Sequence, residues 1–136
     1  MMGDLAKGVR WVRDHVAEHR GDPERLVIMG HSAGAHMSAM LAFDSSLLAT
    51  VGEKPEALRG FVGLEGIYDL GDLVRRFPSY RVDFLQAAFG SDETTWRLAS
   101  PQQLVGAVSG WLVGLVPHDT ALPLARANLN TLTLVA

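Results

Sequence analysis

Cysteine is absent from this chain of 136 residues, which excludes disulfides, thiolate metal sites and a cysteine nucleophile, and fits a reducing compartment. Aromatic residues are few, at 7%, and the net charge is only -3, with no run of lysine or arginine interleaved with aromatics. Without a basic field, nucleic acid is not an expected partner. The apolar runs fall far short of the roughly 20 residues that span a bilayer, and Met1-Met2-Gly3-Asp4 lacks the basic and apolar regions of a secretory leader. The expectation is a soluble, cytoplasmic protein that engages a small molecule rather than a membrane. Internal repeats, low-complexity tracts and an interdomain linker are also missing. What is present is ordinary globular composition, 48% hydrophobic and 20% charged, enough for one domain with a real core.

The stretch that organises the chain is Leu26-Val27-Ile28-Met29-Gly30-His31-Ser32-Ala33-Gly34-Ala35-His36. Four apolar residues predict a strand buried on both faces, and the small residues Ala33, Ala35, Ser38, Ala39 and Ala42 predict a slim helix lying close to a sheet. Between them, Gly30-His31-Ser32-Ala33-Gly34 has the G-x-S-x-G form of a nucleophile elbow, a sharp strand-to-helix turn with serine at its tip. The spacing follows from the chemistry. A serine at a strained backbone angle projects its hydroxyl clear of the sheet, and the flanking glycines remove Cβ atoms where strand and helix converge. The Ala33 N–H then points at the same place from a helix N-terminus, suited to a developing oxyanion.

The rest of the chain alternates helices and strands. Asp4 is a candidate cap for a helix with Leu5, Val9, Val12 and Val16 on one face, ending at Arg20-Gly21 before the Asp22-Pro23 turn. After the elbow helix, which runs to about Phe43, Asp44 or Ser45 caps a short helix closed by Gly52. Arg59 to Gly66 reads as a second strand, and Ile67-Tyr68-Asp69-Leu70 leaves its C-terminal end, where parallel α/β sheets meet ligands. Asp69 or Asp72 starts a helix stopped by Pro78, another spans Val82 to Phe89, and a third spans Asp92 to Leu98. Gly110 to Val116 reads as a third strand with Pro117-His118-Asp119 following it. Ala121 to Asn128 suits a helix and Thr131 to Val135 a fourth strand. This order gives an α/β fold with a parallel sheet of about four strands flanked by helices.

With the elbow, the acid and the element order together, the chain resembles the α/β-hydrolase fold, and within it the small serine esterases and amidases. Asp22-Pro23-Glu24-Arg25 before the elbow, Gly66-Ile67-Tyr68-Asp69-Leu70 and Phe77-Pro78-Ser79-Tyr80 resemble the kynurenine formamidases, also called arylformamidases. Related carboxylesterases and prenylcysteine methylesterases carry similar segments. The resemblance implies Ser32 as nucleophile and Asp119 as the acid that orients a histidine. It implies no cofactor, and hydrolysis of N-formyl-L-kynurenine to formate and kynurenine in tryptophan catabolism. It also places the oxyanion loop before Met1 and the catalytic histidine beyond the last strand. Residues 1–136 are therefore expected to be a partial α/β-hydrolase domain with negligible activity alone. The alternatives are a carboxylesterase for short acyl esters and a non-catalytic remnant or interaction module.

Other residues carry competing readings. His31 is expected at the pocket mouth, and Tyr68 is either a substrate-wall residue or a core aromatic. His36 reads as a packing residue, Glu65 as either a buried acid near the elbow or a surface group, and His118 as a poor substitute base. His15-Val16-Ala17-Glu18-His19 matches the H-x-x-E-H pattern of a zinc peptidase, but no third ligand is evident and the stretch reads as a solvated helix face. Phe77, Phe84 and Phe89 recur at helical spacing and are expected in the core. The strand Leu26 to Met29 is expected to present an unpaired apolar edge, inviting a homodimer or edge-strand association.

Overall fold

The computed structural model describes residues 1–104 and 112–116. Helix α1 (Met2–His15) continues as a 3₁₀ turn, Val16–His19, and stops at Arg20, whose φ is 65°. It begins earlier than an Asp4 cap would place it. Met1 is the cap, and Asp4 instead sits in the first turn, 2.9 Å from the terminal ammonium, where an acid suits the helix dipole. Strand β1 (Leu26–His31) leads through Ser32 into α2 (Ala33–Phe43). Asp44 caps α3 (Ser45–Ala49) by accepting the Ser46 N–H, as its sequence position suggests.

Strand β2 (Leu58–Leu64) is followed by α4 (Leu70–Arg76), capped by Asp69 accepting the Asp72 N–H at 2.9 Å. One π-helical turn, Arg81–Leu85, runs into α5 (Gln86–Phe89), closed by Gly90 at φ 76°. Asp92 caps α6 (Glu93–Leu98), and β3 (Leu112–Val116) returns to the sheet. The three strands are parallel in the order β1-β2-β3, with His31 beside Leu64 and Leu64 beside Val116. This is an α/β architecture. The helix over 121–128 and the fourth strand over 131–135 lie outside the described residues.

Helix α2 brings the sheet its closest cover. Ala35, Ala39, Leu41, Ala42 and Phe43 pack with Ala6 of α1 and with Leu58 and Phe61 of β2. The alanines let the helix approach, and Phe43, Phe61 and Tyr68 then meet edge to face, with ring centroids 5.6 and 6.2 Å apart. A second cluster, Leu70, Leu73, Val74, Leu85 and Trp96, joins α4, the π turn and α6. Ser100 ties that cluster together, since its buried Oγ accepts the Leu70 N–H and donates to the Trp96 carbonyl.

Two expectations of burial are corrected. In β1 only alternate residues turn toward the helices, so Leu26 and Ile28 join the core whereas Val27 and Met29 are 55% and 66% exposed on the other face. Among the described residues β1 pairs only with β2, so it forms the sheet edge. Phe77 and Phe84 are likewise exposed, Phe77 stacked on Tyr80 and Phe84 edge to face with it, because the Pro78 turn and the π turn rotate them off the buried face; of the three phenylalanines Phe89 alone packs against the second cluster.

Candidate active site

Ser32 lies between β1 and α2 with φ 53° and ψ -120°, a backbone conformation that costs an L-residue of order 1–3 kcal/mol. Its N–H donates to the Leu64 carbonyl at 2.9 Å, and its own carbonyl accepts the N–H groups of Ala35 and His36. The turn is thus fixed from both sides, while the serine itself is exposed. Helix geometry leaves the N–H groups of Ala33 and Gly34 without intrahelical acceptors. Among the described residues the Ala33 N–H has no backbone acceptor, and it sits at the positive end of α2, one residue from Ser32.

The two elbow glycines have unequal roles. A Cβ at Gly30 would lie 2.7 Å from the Ala35 nitrogen and closer still to the Gly34 carbonyl, so only glycine fits there. A Cβ at Gly34 would meet no described atom within 4 Å. The sequence argument holds for the first glycine only, because it is the backbone of Gly34 that approaches Gly30.

His31 and His36 are each engaged by another group. His31, 64% exposed at the rim, places Nε2 3.1 Å from Oε2 of Glu65. His36 is buried, donates from Nε2 to the Ala99 carbonyl at 2.8 Å, and meets Phe89 edge to face. Burial pushes its imidazole below the usual range, against the smaller opposing effect of that hydrogen bond. His36 therefore fastens α2 to the segment after α6.

Tyr68 is fully buried, which is the core placement among its two readings and not an open substrate wall. Its ring fills the space above Gly63 and Gly66, where a Cβ would overlap the phenol. Burial raises the pKa of its hydroxyl. Glu65 is the residue whose importance the sequence left open: it is exposed, directly follows β2 at φ 48°, and reaches His31. Its signal was positional, since Glu65 and Ser32 each follow one of two neighbouring parallel strands.

Asp119 and His118 lie outside the described residues. The H-x-x-E-H stretch spans the junction where α1 gives way to a 3₁₀ turn. His15 there is stacked on Trp11 with Nδ1 2.8 Å from the Trp11 carbonyl oxygen, and the described residues contain no group of three side chains suited to a metal. The zinc reading is accordingly not supported by this geometry. No described helix is long and apolar enough to cross a membrane.

A parallel sheet whose strand ends in a serine at positive φ, with a helix starting at the next residue, defines the α/β-hydrolase class. Comparison with known proteins narrows this: the BD-FAE family model matches residues 1–109, and the chain belongs to that family. The probable isoprenylcysteine alpha-carbonyl methylesterase ICMEL2 of Arabidopsis thaliana is 33% identical over 109 residues, covering 75% of this chain and 25% of the relative. The kynurenine formamidase-like hydrolase fscH of Fusarium equiseti is 38% identical over 114 residues, covering 79% of this chain and 38% of that protein. Among solved structures, Thermogutta terrifontis esterase 2 phosphoramylated by tabun shares the fold, with a TM-score of 0.68 at 21% identity over 98% of this chain and 51% of the other. The chain spans about a quarter of the length of the methylesterases it matches. Those relatives are named as esterases and related hydrolases.

Proposed function

We propose that Ser32 is the nucleophile of a serine hydrolase that cleaves a small acyl bond through an acyl-serine intermediate, with the Ala33 N–H receiving the oxyanion and Asp119 serving as the triad acid. The observation that carries the proposal is the positive φ of Ser32 at the strand-to-helix bend. Strain of that kind is kept where it presents a reacting group. In the chemistry proposed, Oγ attacks the acyl carbon, the amine or alcohol leaves with the proton, and water then frees the acid and regenerates the serine.

The bond we assign is the formamide of N-formyl-L-kynurenine, supported by the 38% identity to the formamidase-like hydrolase. A carboxylester is the second reading, supported by the methylesterase relatives. His31 and His36 are engaged by Glu65 and Ala99 rather than by Ser32 in this proposal, and negligible turnover by residues 1–136 alone is part of it. So is the account of those residues as part of a larger hydrolase domain. The same reading places the protein in the cytoplasm, testable by fractionation, and its partner as a small molecule, with association through the β1 edge.

Mass spectrometry of the chain after incubation with N-formyl-L-kynurenine or with p-nitrophenyl acetate tests the assignment. A formyl group on Ser32 from the first substrate supports the formamidase reading, and an acetyl group from the second only supports the esterase reading. Acylation that persists in Ser32→Ala, or none over hours, favours a non-catalytic interaction module.

A further inference from the structure

Resting on Ser32 as nucleophile, we propose that Glu65 is a specificity-determining residue at the mouth of the site, selecting acyl compounds that carry a positive charge near the bond to be broken. Its position follows from the sheet. The Leu64 carbonyl that accepts the Ser32 N–H belongs to the peptide bond whose nitrogen is that of Glu65, so the two residues stand side by side at the same rim. Each follows directly on its strand, and each has a positive φ, 53° at Ser32 and 48° at Glu65. Glycine is the residue that adopts such a conformation without cost, and Gly66 is next in line; a glutamate there holds its carboxylate at the rim against the preference of its backbone.

The carboxylate is also poised. Oε2 lies 3.1 Å from His31 Nε2, and both side chains are more than half exposed, at 61% and 64%. No arginine or lysine among the described residues pairs with Glu65, so its carboxylate faces solvent with His31 as its described side-chain partner. Next to it, the N–H groups of the first turn of α2, which lack intrahelical acceptors, present the opposite polarity. A substrate whose acyl oxygen turns toward Ala33 while an ammonium group turns toward Glu65 matches both. At contact distance in a water-accessible site, such a charge pair is worth about fivefold in rate or affinity.

The test uses two phosphonofluoridates of the same shape, one ending in a trimethylammonium group and the other in a tert-butyl group, and measures their rates of reaction with Ser32 in the full chain at low salt. The ratio of the two rates cancels the intrinsic reactivity of the hydroxyl. The cationic probe is expected to react about five times faster relative to the neutral one, with the ratio falling toward one in Glu65→Gln and in Glu65→Gly, the latter free of the backbone strain. A ratio unchanged by both substitutions overturns the role of Glu65 and leaves the nucleophile standing. Absence of reaction with the neutral probe in the unsubstituted chain overturns the nucleophile and this inference with it.

Discussion

Replacing each elbow glycine by alanine isolates the steric demand on which the site depends. At Gly30 the added methyl would stand 2.7 Å from the Ala35 nitrogen and nearer still to the Gly34 carbonyl, where carbon contacts of about 3.5–4.0 Å are comfortable. The obstacles are main-chain atoms of α2, so relief requires the helix to move away from β1 by about an ångström. Overpacking that side chains can absorb costs roughly 1–3 kcal/mol. Here the closely packed α2–β1–β2 core must open, so Gly30→Ala is expected to cost about 3 kcal/mol or more. That loss corresponds to a fall of roughly 10 °C in Tm for a domain of this size. At Gly34 the methyl enters open space at the start of a helix, where alanine is favoured over glycine by up to about 1 kcal/mol. Gly34→Ala should therefore keep or slightly raise Tm. Thermal and urea unfolding followed by circular dichroism would measure both. Equal losses from the two substitutions, or a harmless Gly30→Ala, would refute the packing argument.

Three other outcomes are expected. Ser100→Ala removes the acceptor of the Leu70 N–H and the donor to the Trp96 carbonyl in a buried position, and urea unfolding should show a loss of about 1–3 kcal/mol. His36 is held neutral, with a folded pKa below its ordinary 6.5, so the unfolded chain binds the proton more readily; stability from this group is present above pH 6.5 and is lost as the pH falls through the folded value. Melting temperatures measured as a function of pH should decline less steeply on the acid side in His36→Gln than in the unsubstituted chain. Val27 and Met29 border an edge strand paired on one side among the described residues, and we propose that this edge drives self-association; sedimentation across a concentration series should show an associating protein that becomes monomeric in Met29→Lys.

What was legible in the sequence is local chemistry. Asp44, Asp69 and Asp92 each cap a helix through a carboxylate that accepts an N–H two or three residues on; the sequence offered Asp44 or Ser45 and Asp69 or Asp72, and the structure selects the first of each pair. Ser32 at the bend was legible for the same reason, since glycine at Gly30 and small residues beyond it leave few other conformations. Burial was less legible because it depends on what lies across the chain. Val27 and Ile28 are equally apolar, yet only Ile28 faces a helix. Phe77 and Phe84 stand at helical spacing, but the Pro78 and π turns between them change the face they occupy. The His31–Glu65 contact joins residues 34 apart in sequence, set by the parallel register, and no local pattern announces it. The acid at Asp119 falls outside the described residues.

The central claim is that the bend between β1 and α2 presents a reactive hydroxyl to an oxyanion site made by its own helix. A crystal structure of the chain after reaction with a fluorophosphonate tests it most directly. The account predicts phosphorus bonded to Oγ of Ser32, with the phosphoryl oxygen about 3 Å from the Ala33 nitrogen. Phosphorus on another side chain, or a phosphoryl oxygen turned away from α2, would contradict it.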